Sequence, residues 1–204
     1  MSGPDGLALL GCGGHARSVA DVALARGIAA LRFVDPGARE GERIMGFEAV
    51  PSLAALPDGW LWFPASGDNR VRQRDLGRVA PRAVHTLVAP GAHVSAHATL
   101  GRGVFVGHGC HVGPCSSLGD GALVNNGAIV EHDCVVGRFC HVSVHATLAG
   151  GVVLGERVMI GAGATVIDGM TIVDDVVVGA GATVVSDLLA PGTYVGTPAR
   201  RLDR

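Results

Sequence analysis

Stepping along the chain six residues at a time from Val88 gives Val88, Val94, Leu100, Val106, Val112, Leu118, Val124, Val130, Val136, Val142, Leu148, Leu154, Ile160, Val166, Ile172, Val178 and Val184. All seventeen are aliphatic. Val, Leu and Ile make up roughly one residue in four of the chain, so an unbroken series of this length is a structural period. Four residues after each aliphatic stands an uncharged and mostly small side chain, among them Ala98, Cys110, Ala122, Cys134, Cys140 and Ala164. This fifth position and the next first position lie two apart, so on a strand both point inward and the sixth position between them points out. Gly often follows the aliphatic, and Gly or Asp often comes one or two residues later, where the chain must turn. Each hexapeptide therefore predicts one short strand and one corner. Three such strands close a triangular coil of about eighteen residues, and seventeen repeats stack into about 5.7 coils, roughly 27 Å tall. The period predicts an all-β parallel β-helix over residues 88–189, with 190–204 as a tail.

Residues 1–87 follow a different rhythm. An apolar strand (LALLG, 7–11), a glycine-rich turn, a helix from about His15 to Ala25 and a second strand ending at Asp35 come first. A loop, a short helix near Ser52, a strand WLWFPAS (60–66), an Arg-rich helix (70–79) and a lead-in strand follow. This predicts a small Rossmann-like α/β domain of βαβαβ type.

The sixteen Lys and Arg residues are all Arg, which excludes lysine Schiff-base and Walker-type phosphate chemistry. A net charge of -2 without a basic block excludes a nucleic-acid surface. No stretch approaches the roughly 20 apolar residues of a membrane span, and the N-terminus lacks a basic leader, so a cytoplasmic protein without a membrane span is expected. Five cysteines without a C-x-x-C pair indicate neither a disulfide frame nor a zinc knuckle, and small buried residues are expected.

Three motifs carry candidate chemistry. GCGGHA (11–16) fits G-x-G-x-x-A between a strand and a helix, with Asp35 closing the next strand. Such a turn offers backbone N–H groups to a phosphate, and Asp35 could accept from a ribose or a base. One half-fold is small for a dinucleotide, so a mononucleotide or nucleotide-sugar site is favoured over NAD; the plain alternative is a tight turn with no ligand. SGDNR (66–70) ends the third strand and should face the same crevice, or simply cap the next helix. In VEHDCV (130–135), His132 takes a corner position and projects from the prism, with Asp133 or Glu131 able to fix its tautomer and raise its basicity. Its neighbour one coil on is Gly150, which leaves space beside the imidazole. Cys134 takes a fifth position and points inward. His111 and His141 are sixth-position residues on flat outer faces, and His93 should stack one coil from His111.

Together, GCGGH, VDP (34–36), SGDN, the hexapeptide series, EHDCVVGRFCHVS and GTPARRL resemble the NeuD and PglD type of bacterial sugar acetyltransferases across essentially the whole chain. The resemblance implies a left-handed β-helix, a homotrimer, acetyl-CoA between adjacent prisms, and a nucleotide-linked 4-amino-4,6-dideoxy sugar on the N-terminal domain. It implies that His132 is a general base sharpened by Asp133, and that His141, from a neighbouring chain, Ala162, Ala180 and Arg200 meet acetyl-CoA. It further implies that Gly13, Gly14, His15, Asp35, Pro36 and Gly67 hold the nucleotide sugar, Pro36 replacing a common acidic residue. No metal is expected. O-acetylation of sialic acid or a related sugar, a γ-class carbonic anhydrase type of zinc enzyme, and a non-catalytic nucleotide-sugar binder stand as alternatives.

Overall fold

The computed structural model describes residues 4–52, 56–79 and 84–202. In the N-terminal part, β1 (Gly6–Leu10), α1 (Gly14–Ala25) and β2 (Ala30–Val34) form the first βαβ unit. β5 (Trp60–Pro64) pairs on the other side of β1 and leads into α2 (Asn69–Leu76), whose N-cap Asp68 accepts a hydrogen bond from Val71 N at 2.8 Å. The sheet order is β3-β4-β2-β1-β5, in which β3 (Arg43–Ile44) and β4 (Phe47–Val50) make a hairpin absent from the sequence reading. Its tight turn places both Met45 (φ 52°) and Gly46 (φ 84°) in the left-handed region, as a two-residue hairpin loop requires. The helix expected near Ser52 falls partly on 53–55, outside the described residues; Pro51 and Ser52 themselves are irregular.

The second half is the expected prism. Strands recur every six residues from β6 (Leu87–Val88) through β7 (His93–Val94) and β8 (Thr99–Leu100) to β22 (Thr183–Val184). Leu87 pairs in parallel with Phe105, His93 with His111 and Thr99 with Ser117, so every third strand joins one of three flat sheets. The first- and fifth-position side chains fill the axis: Val112, Ala128, Val130, Cys134, Val142, Ala146, Leu148 and Ile160 are fully buried. Corner geometry follows from the fourth position, where the chain takes φ near +60° whether the residue is Gly (Gly109, Gly127, Gly151, Gly163) or not (Cys115, Asp133, Phe139, His145). The tail does not stand free. β23 (Gly192–Val195) extends one face of the prism in parallel, and β24 (Arg200–Arg201) folds back antiparallel on it.

One face differs from the other two. Its outward side chains, one per coil, run Leu87, Phe105, Leu123, His141, Met159 and Val177. The N-terminal domain sits on the lower part of this face, where Leu87, Phe105 and Leu123 join its core with Phe33, Phe63 and Val19. Each such side chain contributes about 1.5–3 kcal/mol of burial. Val177, further up, remains exposed. This docking positions the site.

Candidate active site

A cavity of about 760 Å³ opens at the C-terminal edge of β1, β2 and β5, the usual ligand position in open α/β sheets. Gly13, Gly14, His15, Asp35, Pro36 and Gly67 all line it. Helix α1 starts at Gly13 with no side-chain cap and no acidic residue in its first turn. A Cβ at Gly13 or Gly14 would meet nothing within 4 Å, so the glycines open space beside polarised N–H groups suited to an anion. Asp35 braces this turn: its carboxylate accepts from Cys12 N (3.3 Å) and Gly37 N (2.9 Å). Arg74 of α2 and Arg78, in the turn just beyond it, also line the cavity, sharing Asp75 at 3.0 and 3.9 Å; the sequence reading did not single them out. On the helix expected over 70–79, their four-residue spacing is the signal that would have put both on one face.

Beneath the cavity, the two halves of the chain meet around buried polar groups. His141 does not lie open on a flat face: docking of the N-terminal domain leaves it 7% exposed, against its own chain's Gly67 loop. Its Nδ1 lies 3.2 Å from Gly67 O, which can only accept, so Nδ1 carries the proton and Nε2 accepts from Asn125 Nδ2 at 3.3 Å. Burial and the nearby Arg72 charge pull its pKa down to about 4. His15 packs edge-on to Phe105, with its ring centre 6.2 Å from that of His141, and burial takes its pKa down to about 3. His15 Nε2 is buried without a hydrogen-bond partner among the described residues.

His132 occupies a different place, on an edge of the prism. Its side chain is 60% exposed, and Nδ1 lies 2.8 Å from Asp133 Oδ2. Asp133 adopts φ 60°, a left-handed corner that Asp tolerates, and from there its carboxylate meets the preceding imidazole. Gly150 faces the ring from the next coil, so closely that a Cβ there would lie 2.5 Å from His132 Cε1. Cys134 is fully buried, with Sγ donating to Ala149 O at 3.2 Å and burial pushing its thiol pKa up, as its inward position predicts. Cys115, in contrast, is exposed at a corner and is not a core residue. His93 and His111 stack with centres 5.1 Å apart, and among the described residues no three His, Cys, Asp or Glu side chains converge as metal ligands.

Ala162 and Ala180 are exposed on a second edge, stacked through Gly181 N donating to Ala162 O at 2.9 Å. Arg200 is exposed on β24. One chain thus carries the His132 edge and the Ala162–Ala180 edge on opposite sides of the face that bears His93 and His111.

Comparison with known proteins follows the same division. The family model for the PglD N-terminal domain matches residues 6–79. The acetyltransferase domain of PglB from Neisseria gonorrhoeae FA1090, solved in complex with acetyl coenzyme A, is 34% identical over 98% of this chain and 100% of that one, with a TM-score of 0.92. PerB from Caulobacter crescentus, solved in complex with CoA and GDP-perosamine, is 39% identical over 97% of each chain, with a TM-score of 0.86. The chain belongs to the NeuD/PglD type of sugar acetyltransferases. WeeI from Acinetobacter baumannii AYE, 19% identical over 97% of this chain and 99% of that one, shares the fold at a TM-score of 0.69. No curated protein sequence matches the chain. As a NeuD/PglD-type protein it is an acyltransferase, and among the described residues no helix is long and apolar enough to cross a membrane.

Proposed function

We propose that the protein transfers the acetyl group of acetyl-CoA directly to the amine of a nucleotide-linked 4-amino-4,6-dideoxy sugar. The single observation that carries this reading is the His132–Asp133 pair, 2.8 Å apart and exposed beside the Gly150 gap, in a chain whose relatives were solved with CoA, acetyl-CoA and GDP-perosamine. His132 Nδ1 donates to the carboxylate, which leaves Nε2 as the base. As the sugar amine attacks the thioester carbonyl, Nε2 takes its proton, the tetrahedral oxyanion forms, and its collapse releases the CoA thiolate, which is then protonated. No covalent enzyme intermediate is required.

The nucleotide sugar lies in the 760 Å³ cavity, its phosphates at the Gly13–Gly14 turn and its sugar directed past Gly67. Ala162 and Ala180 offer backbone amides to the pantetheine arm, the remaining exposed edge of His141 faces the thioester end, and Arg200 meets CoA phosphates. Because the His132 and Ala162 edges are separate within one chain, a homotrimer that brings one chain's His132 edge to its neighbour's Ala162 edge completes the groove. Residues 1–87, 88–189 and 190–204 are then acceptor domain, acyl-transfer domain and a C-terminal segment. Such a protein works where acetyl-CoA and nucleotide sugars are made, in the cytoplasm.

The test is release of CoA thiol with a panel of UDP-, GDP- and dTDP-linked 4-amino sugars and free sialic acid. General base catalysis is worth ~10² to 10⁴ in rate, so His132→Ala should lower kcat by about that factor and leave acetyl-CoA affinity within about twofold. Unchanged turnover in that variant removes His132 from the mechanism, and activity on sialic acid alone converts the reading to O-acetylation.

A further inference from the structure

Arg72 sits where the acceptor cavity, the prism and α2 meet, and its side chain is 1% exposed. Its guanidinium spends its donors on six neutral acceptors. Nε donates to Gly121 O (2.7 Å); Nη1 to Ser66 O (3.0 Å) and Gly67 O (3.3 Å); Nη2 to Asn69 Oδ1 (2.8 Å), Phe139 O (2.9 Å) and Cys140 O (3.1 Å). None of these acceptors is a carboxylate. A buried cation with no carboxylate in ion-pair contact among the described residues costs desolvation energy, only partly offset by the charge of nearby Asp68, and packing alone would be served better by an apolar side chain of the same volume. What the guanidinium supplies instead is a planar fork reaching three backbone segments at once, which no apolar side chain and no lysine can do.

Those segments matter for the site. Ser66 and Gly67 form one wall of the acceptor cavity, and Gly67 also lines a second cavity of about 390 Å³ beside Arg70, Met159 and Arg157. Gly67 O is thus held by Arg72 from one side and by His141 Nδ1–H from another. Asn69, oriented by the same Arg72, donates to Arg157 O (3.0 Å) and Val158 O (3.3 Å) of the prism. Taken together, one side chain fixes the wall between two cavities, the tautomer of the buried imidazole and the seat of the acceptor domain on the prism.

We propose that Arg72 is a positioning residue of the acceptor site, holding the Ser66–Gly67 wall and His141 in register with the prism without touching substrate. This rests on the acetyl-transfer reading for its kinetic consequence but not for its structural one. In Arg72→Met the fork and its charge are lost while the apolar stem is kept; in Arg72→Lys the charge remains but only part of the acceptor set is within reach. Both variants should raise KM for the amino-sugar substrate at least tenfold, with Arg72→Lys the milder, and raise KM for acetyl-CoA by a clearly smaller factor, because Arg72 bonds the Ser66–Gly67 wall directly and reaches His141 only through Gly67 O.

The nitrogen-15 spectrum of the imidazoles gives a readout independent of turnover. The His141 signal, identified by its loss in His141→Asn, should report the Nδ1–H tautomer in the unmodified protein and a tautomer mixture in Arg72→Met. Calorimetry with UDP and GDP should show at least tenfold weaker binding of whichever one the unmodified protein takes. If the unmodified protein acetylates no amino sugar, the acetyl-transfer reading falls, and the spectrum still decides the positioning role. A folded Arg72→Met with an unshifted His141 signal, or equal losses for both substrates, overturns the proposal. Failure of both variants to fold also overturns it, since Arg72 would then serve folding alone.

Discussion

At the scale of the residue, the candidate chemistry rests on two neighbours whose backbone geometry joins them. The left-handed φ of 60° at Asp133 aims its carboxylate at His132, 2.8 Å away, so that the pair is set by a corner of the fold and not by a chance rotamer. Asn also accepts the left-handed region, so Asp133→Asn should fold normally and lose only the charge. The imidazole then keeps its place while losing the carboxylate that accepts from its Nδ1. Turnover should fall about tenfold, less than in His132→Ala, with KM for acetyl-CoA unchanged; an unchanged kcat would show that the carboxylate does not assist the base. The same motif shows what a sequence can and cannot display. The His-Asp order and the inward Cys134 are legible from the six-residue count, because the count fixes which way each side chain points. The burial of His141 is not, because outward on a prism means exposed only until another domain covers that face.

Among the elements, the edge that carries His132 works by what its neighbouring coil lacks. Gly150 has no need of a positive φ, so alanine there fits the backbone, yet its methyl would lie 2.5 Å from His132 Cε1. Gly150→Ala should therefore keep the thermal stability of the prism while lowering kcat through displacement of the ring, and the two quantities can be read from the same preparation. A variant with full kcat would show that the gap is not needed. The hairpin of β3 and β4 was missed because Met45 occupies a left-handed turn position that sequence patterns assign to Asn, Asp or Gly. The docking face, by contrast, was present in the sequence. Its sixth-position residues, Leu87, Phe105, Leu123, Met159 and Val177, are apolar with His141 the one exception, whereas the series His93, His111, Ile129, Thr147, Thr165 and Thr183 on the next face is polar except for Ile129. Sorting the sixth position by eighteen instead of six would have marked the covered side.

For the molecule as a whole, the separation of the His132 edge from the Ala162–Ala180 edge makes the proposed site a property of the assembly. Mixing His132→Ala with Ala162→Trp, each inactive alone, should restore sites that draw His132 from one chain and Ala162 from the next. Statistical mixing in a trimer gives about a quarter of such sites. No regained activity in mixed trimers would mean that one chain holds the complete site. The domain junction also sets a dependence on pH. His15 and His141 have folded-state pKa values of about 3 and 4, below the ordinary value of 6.5, because both are buried near Arg72. The unfolded chain therefore binds protons that the folded chain refuses, and stability falls as pH drops from about 6.5 toward 4. The midpoint of thermal unfolding should decline over this interval and be less steep in His141→Asn; a flat profile would contradict buried neutral imidazoles.

The six-residue period by itself determined the prism, its axis-facing side chains and the projection of His132, because in a solenoid every contact is with the coil above or below and so is written locally. The strand-turn-helix order likewise determined the crevice shared by Gly13, Asp35 and Gly67. Only tertiary structure decided which face the N-terminal domain covers, that Arg72 lies in the junction instead of on a solvated helix, and that His141 is buried. Those outcomes depend on two segments about seventy residues apart in sequence meeting across an interface, as Arg72 meets Phe139 and Cys140, and no local pattern encodes that meeting.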